Sequence, residues 1–116
     1  MILHLDPMYI FVSTEMQLDS DVSDLVFGFY KILPTQVNNH SAWKKLYTSH
    51  EVQLSRSANG QWSCSVLTEK EGYAEYLLSK GSHHLSPLTV KQWLQRGEYR
   101  YNDVKVLVAA RGKWSI

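Results

Sequence analysis

Between His50 and Leu67 the chain reads HEVQLSRSANGQWSCSVL, and this stretch constrains the fold more than any other. Val52 and Leu54 alternate with Gln53 and Ser55, while Trp62, Cys64 and Val66 alternate with Ser63 and Ser65. A period of two is the repeat of a β-strand with one covered face. Cross-strand partners share a face, so the register can be chosen by elimination. A two-residue turn at Asn59-Gly60 would pair Ser55 with Cys64 and Gln53 with Val66, mixing polar with apolar. A three-residue loop, Ala58-Asn59-Gly60, pairs Val52 with Val66, Leu54 with Cys64 and Arg56 with Trp62. Every apolar residue then falls on one side. The loop is a type I turn plus bulge, with Gly60 in the left-handed region. The register sets Arg56 over or beside the Trp62 ring.

The rest of the chain repeats this pattern of short strands and frequent turns. Met8–Val12 (MYIFV) is an apolar, aromatic run of the kind that forms a buried strand, and Val26–Leu33 (VFGFYKIL) is a strand ended by Pro34. Ser13–Leu25 is polar and rich in Asp and Ser, and reads as a loop with at most one helical turn. PTQVNNHS is a turn cluster before a return strand, Ala42–Tyr47, whose two faces carry Trp43, Lys45 and Tyr47 against Ala42, Lys44 and Leu46. Tyr73–Ser79 fits helix or strand and is read as strand, Gly81–Pro87 is a loop, and Thr89–Gln95 is a strand candidate, although VKQWLQR would also suit a short helix. After a turn at Arg96–Glu98 comes Tyr99–Tyr101, then Val104–Ala110 (VKVLVAA) as the firmest late strand. The expected fold is mostly β: a single-domain antiparallel sheet or meander, open or rolled, with little helix. One domain covers residues 1–116, with residues 1–24 adding an N-terminal strand and an acidic loop.

Composition agrees. The chain has 116 residues, 44% hydrophobic and 20% charged, with fourteen aromatics against six glycines and three prolines. Its one cysteine, Cys64, excludes an intramolecular disulfide framework and a cysteine-cluster zinc site. The N-terminal stretch lacks a basic region and an unbroken apolar core, so no cleaved signal is expected, and no apolar run reaches a membrane span. These readings favour a cytoplasmic or other intracellular setting and no membrane partner. Charge is uneven: residues 1–30 hold five acids and no Lys or Arg, and residues 76–116 hold seven bases against two acids. The simplest expectation is that the acidic start folds back beside the basic end.

Chemistry is sparse. His83 and His84 are adjacent, which on a strand sends them to opposite faces, and His4, His40 and His50 have no ligand-like partner at two or four residues. No metal and no cofactor are expected. Cys64 shares the face of Leu54, Trp62 and Val66, where a thiol fills space rather than attacks. No nucleophile elbow, phosphate-cradling glycine loop or zinc-protease motif is present. Trp43, Trp62 and Trp93 are expected in the core, and Trp114 partly exposed. Lys91, Trp93, Arg96, Tyr99, Arg100, Tyr101 and Lys105 interleave bases with aromatics, the composition of a contact surface.

Gly28–Lys105, about two-thirds of the chain, also resembles a small β-rich module that recurs, often in tandem, in eukaryotic multidomain proteins. The matching positions are Gly28, Tyr30, Val37, Asn38, Trp43, Lys44, Lys45, Gly60, Trp62, Ser86, Pro87, Leu88, Trp93, Gly97 and Val104, with Asn39 where the pattern usually has glycine. The resemblance implies a structural or recognition module and carries over no catalytic residue.

The expectation is therefore a non-enzymatic recognition or assembly module. It would bind a protein partner, or a second copy of itself, through an exposed aromatic and basic strand face or a sheet edge. Lys91, Tyr99, Arg100, Tyr101 and Arg56 are the expected binding residues. The alternative is nucleic-acid binding by the same C-terminal patch.

Overall fold

The computed structural model describes residues 6–14, 25–70, 72–82, 84–96 and 101–115, with backbone alone for 112–115. Among the described residues nine strands follow one another: β1 (Asp6–Ser13), β2 (Gly28–Ile32), β3 (Trp43–Lys45), β4 (Val52–Arg56), β5 (Trp62–Thr68), β6 (Gly72–Ser79), β7 (Trp93–Arg96), β8 (Tyr101–Val104) and β9 (Leu107–Ser115). A 3-10 turn, Pro87–Thr89, precedes β7, with Ser86 Oγ capping its first amide. All pairings are antiparallel, in the order β8-β7-β6-β5-β4-β3-β2-β1-β9, and the sheet curls into a half-barrel. The sequence expectation of a rolled meander holds.

The β4–β5 hairpin has the register that face-matching selects: Val52 opposite Val66, Leu54 opposite Cys64, Arg56 opposite Trp62. Its loop closes with Ser57 N donating to Gln61 O at 2.8 Å and Gly60 N to Ser57 O at 3.0 Å, and Gly60 has φ +89°. The β2–β3 link uses another device. Val37 and His40 form a bridge around Asn38 and Asn39, whose φ angles are 50° and 64°. Two left-handed residues in a two-residue loop match the right-handed twist of the flanking chain, and asparagine tolerates that region better than most side chains. Asn39 therefore fills the place where glycine is usual.

The concave side is a packed core. Ile10, Val12, Tyr30, Trp43, Val52, Leu54, Trp62, Cys64, Leu77, Trp93, Val104 and Val106 are all buried there. Trp43 and Trp62 lean together at 6.1 Å, and each finds an acceptor for its indole N–H: Pro7 O and His84 O, both at 2.8 Å. Trp93 is buried with its Nε1 unpaired. Lys45 is on the Trp43 face, as alternation requires, and its ammonium reaches the Leu25 carbonyl at 3.1 Å.

Four expectations need correction. The return strand Ala42–Tyr47 shortens to Trp43–Lys45, and Tyr47, at φ 59°, stands exposed instead of sharing the Trp43 face. Val104–Ala110 is not one strand with one partner. Val104, Val106, Val108 and Ala110 keep turning inward while the chain exchanges β7 for β1 across Lys105-Val106. This exchange brings both edges of the curled sheet to one corner, since two residues bridge at most about 11 Å. Thr14 Oγ1 pins the corner to Lys105 O at 2.5 Å. The expected strand Thr89–Gln95 begins only at Trp93, because Pro87 starts a 3-10 turn. Met8–Val12 is buried on one face only: Ile10 and Val12 are inside, while Tyr9 and Phe11 stay half-exposed outside. The acidic residues of 15–24 lie outside the described residues; the first and last strands are nonetheless neighbours.

Candidate functional site

The residues expected to bind are not gathered in one place. Lys91 is exposed just before β7, whereas Tyr101 pairs with Arg96 at the far end of that strand. Tyr101 is 40% exposed, and burial of its ring with the nearby Glu75 charge pushes its hydroxyl pKa up against the opposing pull of Arg96. Tyr99 and Arg100 lie outside the described residues. Arg56 sits at the opposite end of the β4–β5 hairpin from the β5–β6 turn, half-buried. It is Trp62's cross-strand partner, but its guanidinium is bonded rather than stacked on the indole. Nε donates to Gly60 O at 3.2 Å, one terminal nitrogen to Ser82 O at 3.1 Å and the other to His40 Nε2 at 3.1 Å. The same nitrogen is also 3.5 Å from His40 Nδ1, and Nδ1 lies 3.0 Å from Asn38 O, which can only accept. The His40 ring then meets Trp62 edge-on at 6.1 Å. Arg56 thus clips the hairpin to two neighbouring loops.

Beside this clip is a cavity of about 330 Å³ lined by Asp6, His40, Ser41, Trp62, Leu85 and Leu88, among others. Its Ser41 and His40 are both already bonded. Ser41 Oγ donates to Asp6 Oδ2 at 2.5 Å, and both His40 nitrogens are engaged as above, so no serine–histidine relay forms. Among the described residues no three of His, Cys, Asp and Glu are placed to hold a metal ion.

Cys64 is fully buried beside Tyr30, whose hydroxyl donates to Val26 O at 2.6 Å. Burial pushes the thiol from an ordinary value of 9.0 to about 12, despite the pull of Tyr30 and Lys45. The native state therefore holds a proton that the unfolded chain releases above about pH 9, so stability is full below that pH and falls above it. Between pH 8 and pH 10 the wild type should lose about 1.4 kcal/mol more than a Cys64→Ala variant in urea unfolding. Equal losses in the two proteins would remove the thiol from this titration.

The surface with the clearest recognition chemistry is the outer face of β1, β2 and β9. Register aligns its side chains in rows. Lys31, Tyr9 and Arg111 form one row, and Phe29, Phe11 and Ala109 the next; Ser13 and Leu107 follow. Phe29 is 42% exposed and Leu107 47%, and Lys31 and Arg111 are exposed. The Phe11 and Phe29 rings pack at 4.6 Å, tilted by 44°, and the Arg111 guanidinium lies 5.9 Å from the Phe11 ring centre. From Tyr9 through Ser13, along β2, and on β9 up to Arg111, the outward positions hold no Asp or Glu.

The chain matches no family model, no curated protein and no solved structure. No helix among the described residues is long and apolar enough to cross a membrane.

The sequence reading missed this face because it took MYIFV as buried throughout. The available signal was the lack of a helical pattern elsewhere to cover a second face. In a single-layer sheet, the alternate residues of an all-apolar strand must look outward.

Proposed function

We propose that this chain is a recognition module that binds a protein partner without catalysing a reaction. Its contact surface is the aromatic and basic outer face of β1, β2 and β9. The observation that carries this reading is the Phe11–Phe29 pair turned to solvent beneath Arg111 and next to Lys31. Exposed aromatics cost hydration and contribute nothing to the core, whereas rigid rings and arginine are the side chains that dominate contact energies. The cavity beside His40 and the buried Cys64 offer no activated nucleophile to weigh on the other side.

Selection of displayed random peptides tests it. Wild-type protein should enrich peptides that a Phe29→Ser variant of equal thermal stability fails to retain. Equal retention by the variant would move the surface elsewhere. Binding of single-stranded RNA with steep salt dependence, and no peptide enrichment, would replace the reading by nucleic-acid recognition.

A further inference from the structure

Resting on that reading, we infer that the outer face of β1, β2 and β9 binds an extended, acidic segment of a partner protein. The segment carries a carboxylate followed at every second position by an apolar residue.

The rows set the chemistry. Lys31 and Arg111 flank Tyr9 across three strands, so two cations stand on either side of one aromatic ring, roughly 10 Å apart at the spacing of strands. The Phe29–Phe11–Ala109 row lies two residues further along each strand, about 7 Å away. Leu107 and Ser13 come two residues beyond that. An extended segment repeats its side chains on one side at the same spacing, so a carboxylate over the Lys31–Arg111 row sets its next two same-side residues over Phe11 and Leu107. Arg111 is partly preorganised for this. Its ring contact with Phe11 and the bond from one terminal nitrogen to Ala110 O at 3.0 Å restrict the guanidinium before any partner arrives.

Other occupants match less well. Placed face to face on this surface, the described residues of a second copy bring no carboxylate to Lys31 or Arg111. A two-fold axis along the strands sets the cationic row against itself, and one across them sets it against Leu107 and Lys105. A single-stranded nucleic acid needs open ring faces for its bases. Here Phe11 and Phe29 lean on each other and Arg111 lies over Phe11.

The test is a titration of the isotope-labelled full chain, followed by backbone amide shifts, with a peptide of sequence Glu-Thr-Phe-Thr-Leu blocked at both ends. Two companion peptides carry Gln or Lys for Glu. The Glu peptide should shift amides of β1, β2 and β9 and bind at least about tenfold more tightly than the Lys peptide. Lys31→Glu combined with Arg111→Glu should reverse that order, a rescue that a merely structural role for either residue would not produce. Equal affinity for the Glu and Gln peptides at these strands would overturn the acidic specification while leaving protein recognition standing. Shifts at these strands only with phosphatidylserine vesicles, or only with oligouridylate, would overturn both, assigning the cations to a lipid or to a nucleic acid. Absence of any shift with all probes would likewise overturn the assignment of this face.

Discussion

Trp62→Ala should cost the domain about 4 kcal/mol, the middle of the range for deleting a buried large aromatic. The side chain is 1% exposed and does three jobs. It fills the core against Trp43, donates from Nε1 to His84 O, and takes the edge of the His40 ring. Removal therefore opens a cavity and leaves a loop carbonyl without its donor, and these penalties add. Total stabilities of small domains run to about 5–15 kcal/mol, so the variant would keep a native state with little margin. The expected melting point is about 15 °C lower, at roughly 4 °C per kcal/mol for a chain of this length. Trp62→Phe isolates one part: most of the volume remains, the His84 bond goes, and the loss should be near 2 kcal/mol. A Trp62→Ala loss below about 2 kcal/mol by urea unfolding would mean that the half-barrel relaxes around the hole.

What the sequence disclosed and what it hid divide along one physical line. Alternation reports which residues share a face, and it gave the β4–β5 register down to the pairing of Arg56 with Trp62 because polar and apolar residues segregate cleanly there. Alternation does not report hydrogen-bond partners, so the exchange of β7 for β1 at Lys105-Val106 was invisible: side chains continue in step through it. Nor does it decide an all-apolar strand. Tyr9, Ile10, Phe11 and Val12 are apolar on both faces, and only the single-layer architecture shows that half of them face solvent. The expected contact residues suffered from a related blindness. Lys91 and Tyr101 are ten residues apart in sequence but at opposite ends of β7, while Lys31 and Arg111, eighty residues apart, flank one tyrosine. Antiparallel register makes near neighbours of distant residues, and a linear scan for clustered bases and aromatics cannot see that.

Among the described glycines, Gly60 should be the one where an added methyl does most damage, with Gly60→Ala costing about 3 kcal/mol. Two independent penalties meet. The backbone there has φ +89°, a region that a Cβ makes unfavourable by roughly 1–2 kcal/mol. A Cβ would also stand 2.8 Å from Ser82 O and 3.2 Å from an Arg56 terminal nitrogen. That nitrogen is the one donating to Ser82 O, so the added methyl pushes on both ends of the same hydrogen bond. Because the obstacle is a backbone carbonyl in the β6–β7 connection, rotation of a side chain cannot relieve it. The hairpin must withdraw from that connection, and Arg56 loses its hold on Ser82. The two sites should then couple. Arg56→Ala alone gives up bonds to Gly60 O, Ser82 O and His40, about 2 kcal/mol. In the double variant the Gly60→Ala cost should shrink by about 1 kcal/mol, since part of what the methyl breaks is already gone. Costs that add to within about 0.3 kcal/mol would show the clip and the turn to be separate, and Arg56 would lose its role as the link between the hairpin and the loops around it.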